Sequence, residues 1–114
     1  MDVYGIPNCD TVKKALNFLK ANNAAYTFHD FKKEGVSREQ LEKWAKQLGW
    51  ETLLNKRGTT WRKLSPEVQA SVHTQADAIR LMQEHSSLIK RPVVEKGNTL
   101  SAGFDEALFR EKYL

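Results

Sequence analysis

A single cysteine among 114 residues cannot close an internal disulfide, so the fold has to stand on packing alone. Three prolines and six glycines leave no room for a Pro- or Gly-rich linker, and no internal repeat or low-complexity segment is legible. Long hydrophobic runs are missing too. No stretch approaches the ~18 apolar residues of a membrane span. The opening Met1-Asp2-Val3-Tyr4-Gly5 has no basic stretch followed by an apolar one, so no secretory signal is read. One cysteine and no signal make a reducing cytoplasm the expected compartment. Runs of like charge never exceed two residues. The 18 Lys and Arg are interspersed with 14 Asp and Glu, for a net charge of +4. Despite a pI near 9.3, that pattern argues against nucleic acid and for a solvated basic surface that attracts a small anionic substrate. There is no G-x-G-x-x-G, no phosphate loop and no legible Ser/His/Asp set. His29, His73 and His85 share no metal-ligand spacing with one another or with Cys9, so no metal is expected.

What is present reads as one soluble domain, 40% hydrophobic and 28% charged, with one core. Val3 to Ile6 reads as a short buried strand. Gly5, Pro7 and Asn8 then force a bend. Val12, Ala15, Leu16 and Leu19 share one face of a helix from Asp10 to Ala21, and Asn22-Asn23 is its stop. Ala25 to His29 nearly alternates, as a second strand. Strand, helix, strand at this spacing is a βαβ unit with parallel strands. Asp30 to Gly35 reads as a charged connection. Ser37-x-x-Gln40 is a capping box for a helix whose apolar face is Leu41, Trp44, Ala45 and Leu48, stopped by Gly49. Glu51 to Asn55 and Thr60 to Leu64 read as single turns. Ser65-Pro66 and Thr74-x-x-Asp77 are start signals. Residues 37–86 are therefore a helical block with no convincing strand. Val93-Val94-Glu95, the turn Lys96-Gly97-Asn98 and Thr99-Leu100-Ser101 form a hairpin. A last helix runs from Phe104 to about Tyr113, with Phe104, Ala107, Leu108 and Leu114 inward. With the block removed, the order is β-α-β-β-β-α. The expected fold class is α/β: a thioredoxin-like four-stranded mixed sheet with a helical insertion between strands 2 and 3.

The chemistry points to Cys9. A cysteine after Pro7-Asn8, opening a helix at the C-terminal edge of a sheet, sits where α/β proteins place ligands. Free N–H groups and the positive end of the helix dipole favour its thiolate. Arg91-Pro92 directly precedes a strand. In this fold the proline is expected to be cis, with its loop facing the cysteine loop. Arg91 suits a thiolate, carboxylate or oxyanion. Arg57, in Asn55-Lys56-Arg57-Gly58-Thr59-Thr60-Trp61, reads by position as a solvated loop cation, and Trp61 as core.

Three segments in order, Gly-Ile-Pro-Asn-Cys at 5–9, Lys-Arg-Gly-Thr-Thr-Trp-Arg-Lys-Leu at 56–64 and Leu-Ile-Lys-Arg-Pro-Val-Val at 88–94, resemble the ArsC/Spx/YffB family over essentially the whole chain, closest to the YffB branch. The resemblance implies that Cys9 is the reactive cysteine, Arg91 the arginine that contacts its sulfur or a bound anion, and Pro92 the cis-proline. Asn8, Asp10, Thr11, Arg57 and Pro92 would bind substrate. Two departures narrow the chemistry. Asn55 and Ala102 stand where arsenate reductases of the family carry two of their three arginines, which weakens the hold on a tetrahedral oxyanion. Cys9-Asp10-Thr11-Val12 lacks the second cysteine of Spx-type Cys-x-x-Cys. The expected activity is a monothiol reductase. Cys9 forms a mixed disulfide with an oxidised thiol or small-molecule substrate, and an external thiol, glutathione, releases the product without being a bound cofactor. The alternatives are an Spx-like protein that docks on RNA polymerase, and a weakened arsenate reductase. A monomer is expected.

Overall fold

The computed structural model describes all 114 residues. Contacts divide them into two compact units, residues 1–34 with 91–114, and residues 35–90.

The first unit holds a four-stranded sheet in the order β2-β1-β3-β4, with β1 Asp2–Gly5, β2 Thr27–Asp30, β3 Val93–Lys96 and β4 Thr99–Ala102. β1 and β2 are parallel, whereas β1–β3 and β3–β4 are antiparallel. The chain has the thioredoxin-like fold with a helical insertion between β2 and β3. Helices α1 (Asp10–Ala21) and α8 (Glu106–Tyr113) pack on one face of the sheet. Val3 and Val94 are register partners there. They meet Ala15 and Leu19 of α1 and Phe109 and Tyr113 of α8, all buried. The ring of Phe109 lies edge-on to Phe104 at 4.8 Å and to Tyr113 at 5.0 Å, the favoured aromatic arrangement. The buried Tyr113 hydroxyl donates to the Val94 carbonyl and pairs with the Ser101 hydroxyl.

Three readings of this unit change. Both first strands are shifted by one or two residues from the expected Val3–Ile6 and Ala25–His29. The charged connection at Asp30 to Gly35 contains a helical turn, α2 (Phe31–Glu34). It forms because the Asp30 carboxylate accepts from the Lys32 N–H and Glu34 accepts from the Asp30 N–H, while Phe31 is buried. The inward face of α8 is also different. Ala107, Leu108 and Leu114 are exposed, and Phe109 and Tyr113 point inward. The cause is the cap: Asp105 accepts from the Leu108 N–H, so the helix starts after Phe104 and its i, i+4 stripe falls on the two larger aromatics.

The second unit is helical. Helix α3 (Arg38–Leu48) starts where the Ser37 hydroxyl accepts from the Gln40 N–H, a one-way cap rather than the expected capping box, since the Gln40 side chain does not return a bond to the Ser37 N–H, and it ends at Gly49 with φ 87°. Short helices α4 (Trp50–Leu53), α5 (Thr59–Arg62) and α6 (Pro66–Ala70) follow. Ser65 caps α6 with Pro66 in its first turn. Helix α7 (Gln75–Glu84) begins at a reciprocal Thr74–Asp77 capping box and is followed by a 3₁₀ turn, Ser86–Leu88. Leu41, Trp44, Leu53, Met82, Leu88 and Ile89 are fully or almost fully buried in this unit. The unit runs four residues past the expected end of the block at 86, because Leu54 and Ile89 form a bridge and the Lys90 N–H donates to the Leu53 carbonyl.

Candidate active site

Sheet topology brings together what the sequence separates. β1 and β3 are antiparallel, and their last pair is Tyr4 with Val93. The loop leaving β1 therefore lies beside the segment entering β3. Cys9 is on the first and Arg91 on the second. Two local features make the approach. Gly5 is buried, and a Cβ there would sit 2.9 Å from Cγ2 of Val12. Only glycine lets the strand end so close to the first turn of α1. On the other side, the Arg91–Pro92 bond is cis, and the Pro92 carbonyl accepts from the Gly103 N–H at 2.9 Å.

Cys9 is the N-cap residue of α1, with extended backbone (φ −106°, ψ 124°), and its carbonyl accepts the first helical bond from Lys13. The sulfur is half-buried and free. Burial pushes the thiol up. The Val12 N–H, the Arg91 side chain and its charge, and the Thr11 N–H together outweigh burial and hold the pKa below that of an ordinary thiol. No capping hydrogen bond closes on the neutral thiol, a weak acceptor. These donors favour chiefly the thiolate, which accepts far more strongly.

Of the sequence-predicted site residues, Cys9, Arg91 and Pro92 come together in the first unit. Asn8, Asp10 and Thr11 flank Cys9 and are exposed, and Pro92 is buried. Ala102 is the register partner of Val93 and offers no charge. Arg57 belongs to the second unit. There it lines a cleft of about 390 Å³ with Lys56, Lys90, Asn55, Thr52 and Glu51. Its backbone N–H donates to the Asn55 side-chain oxygen at 3.1 Å. No three His, Cys, Asp or Glu side chains gather where they would hold a metal ion.

Two clusters were not foreseen. His29 places Nε2 2.9 Å from Asp2 and Nδ1 3.1 Å from Glu34, and its ring stacks on Tyr4 at 4.5 Å. Its pKa is raised, first by the hydrogen bond to Asp2 and then, against the opposing effect of burial, by Glu34. Parallel pairing was the signal: Tyr4 and His29 are register partners and Asp2 lies two residues back on the same face. In the second unit the Lys56 ammonium stands 5.2 Å from the Trp61 ring centre and 6.0 Å from that of Trp50. Trp61 is half-buried rather than core.

A profile of the ArsC family matches residues 4–112. A solved structure described as a YffB protein superposes with a TM-score of 0.94 at 42% identity, covering 99% of this chain and 98% of its own. An arsenate reductase (ArsC) related protein from Brucella melitensis gives a TM-score of 0.78 at 45% identity, over 96% of this chain and 91% of its own. An uncharacterized protein of Haemophilus influenzae is 39% identical over 111 residues, 97% of this chain and 96% of its own.

Proposed function

This chain belongs to the ArsC family, and we propose that it is a monothiol reductase in which Cys9 is the nucleophile and glutathione the external reductant. The observation that carries this reading is the free Cys9 thiol at a helix N-cap, with Arg91 and two backbone N–H groups favouring its anion. In the first step the Cys9 thiolate attacks one sulfur of a substrate disulfide. A Cys9–substrate bond forms, the substrate S–S bond breaks, and the other sulfur leaves as a thiolate. In the second step a glutathione thiolate attacks the mixed disulfide. The substrate is released in disulfide linkage with glutathione, or, where it was already linked to glutathione, oxidised glutathione is released and Cys9 returns as the anion. With one cysteine in the chain, no internal thiol performs that second step. Arg91 stabilises charge on sulfur in both directions. One cation from Arg91, with Ala102 opposite Val93, suits a singly charged sulfur better than a doubly charged tetrahedral oxyanion.

The test is turnover of a glutathione mixed disulfide with excess glutathione, in wild type and Cys9→Ser. Loss of turnover in the variant, with the Cys9–glutathione adduct trapped by mass spectrometry in wild type, is expected. Undiminished turnover in Cys9→Ser would sink the reading and leave docking on a protein partner as the function to pursue.

A further inference from the structure

We propose that the cleft of residues 35–90 is a binding site for a compact multivalent oxyanion, one bearing a phosphate or a cluster of neighbouring carboxylates. The lining residues come wholly from this unit. Three of them, Lys56, Arg57 and Lys90, are cations, against the single carboxylate of Glu51. Neither the Arg38–Glu42 nor the Arg80–Asp77 ion pair of the unit involves any of the three. The cleft therefore keeps a net positive charge of two.

The cations are also arranged. Lys56 rests against the indole rings of Trp50 and Trp61. A lysine held by a carboxylate has its charge cancelled, whereas one held over aromatic faces keeps it. The two walls are tied together. The Asn55 N–H donates to the Leu88 carbonyl at 2.7 Å, and the Lys90 N–H to the Leu53 carbonyl at 2.8 Å, on either side of the Leu54–Ile89 bridge. That register sets Lys90 opposite Leu53, next to the Thr52 and Leu54 wall of the same cleft. The Asn55 side-chain oxygen takes the Arg57 N–H, which leaves the amide N–H₂ as a donor. Arg57, Lys56, Lys90, Asn55 and Thr52 all line one volume. That volume, about 390 Å³, is of small-molecule size. Exposed single charges contribute little each in water, so a ligand must engage several at once. A lone carboxylate does not; a phosphate or a polycarboxylate does.

Pyrophosphate and citrate are the probes, titrated into the full chain by calorimetry and by tryptophan emission. Acetate and chloride at matched ionic strength are the controls. Saturable one-to-one binding of either probe is expected, with an emission change because Lys56 touches two of the indoles. The tighter probe names the ligand class. Arg57→Gln and Lys90→Gln, both at exposed positions, should each weaken binding about tenfold. Cys9→Ser should bind as wild type, which separates this site from the thiol. Affinity unchanged in both Gln variants, loss of binding in Cys9→Ser alone, or no saturation with either probe by about 10 mM would overturn the proposal.

Discussion

Cys9 and His29 are the same effect with opposite sign. At Cys9 a cation and two N–H groups favour an anion; at His29 two carboxylates favour a cation. For Cys9, the alkylation rate should rise to a plateau with a midpoint below that of an ordinary thiol. Arg91→Ala removes both the hydrogen bond and the charge, so its midpoint should move up. An unmoved midpoint would mean that Arg91 does not act on the sulfur. Because the folded-state value is lowered, the linked stability is present above the unfolded thiol's pKa and fades as pH falls through the folded value. For His29 the order reverses. Its folded-state pKa is raised, so the contribution is complete below the usual imidazole value and disappears as pH rises through the folded one. Only the imidazolium donates to Asp2 and Glu34 at once. NMR titration of His29 should give a midpoint above the usual range, and Asp2→Asn should lower it more than Glu34→Gln. Thermal stability should decline across that window in wild type and stay flat in His29→Gln.

Elements were legible where the signal is local and ambiguous where two stripes compete. Caps were read correctly at Ser37, Ser65 and Thr74, because each is a hydroxyl placed three residues before the N–H that it accepts. In the last helix Phe104, Ala107 and Leu108 make one stripe and Phe109 with Tyr113 another. Hydrophobicity alone does not choose, whereas the Asp105 cap and the aromatic cluster do. The choice is measurable. Phe109→Ala, at 1% exposure, should cost about 3–5 kcal/mol. Leu108→Ala, at 48% exposure, should stay within about 0.5 kcal/mol. Equal costs in chemical denaturation would contradict the register. At the other end of the same core, Gly5→Ala drives a Cβ to 2.9 Å from Val12, which is fully buried and stiff at χ1. An overpacking cost of about 1–3 kcal/mol is expected. Adding Val12→Ala should recover part of it, so the double variant loses less than the sum of the singles. In Gly5→Ala alone, displacement of the first turn should also raise the Cys9 alkylation midpoint, since the Val12 and Thr11 N–H groups belong to that turn.

At the scale of the molecule, the order of elements and the three family segments were enough to bring Cys9 and Arg91 to one place, because antiparallel β1–β3 pairing leaves them no other. Arg57 was not placed by the same reasoning, since a short-helix segment gives no register to count from. The last molecular property is charge, and it acts on rate. A net +4 with interspersed signs produces a weak positive field over the molecule as a whole. Such a field should speed the approach of anionic disulfides and leave neutral ones alone. The doubly anionic 5,5′-dithiobis(2-nitrobenzoate) and the neutral 4,4′-dithiodipyridine both form a mixed disulfide with Cys9 and release a strongly absorbing thiol or thione, so stopped-flow absorbance compares them. Raising the salt from about 20 to about 200 mM shortens the screening length from roughly 20 to roughly 7 Å. The rate constant for the anionic reagent should fall several-fold across that range, and the neutral one should change little. Equal salt dependence would assign the effect to the thiolate's own pKa. No dependence for either reagent would show that the basic surface has no part in bringing the substrate to Cys9, leaving Arg91 and the Val12 and Thr11 N–H groups at the sulfur as the electrostatic contribution.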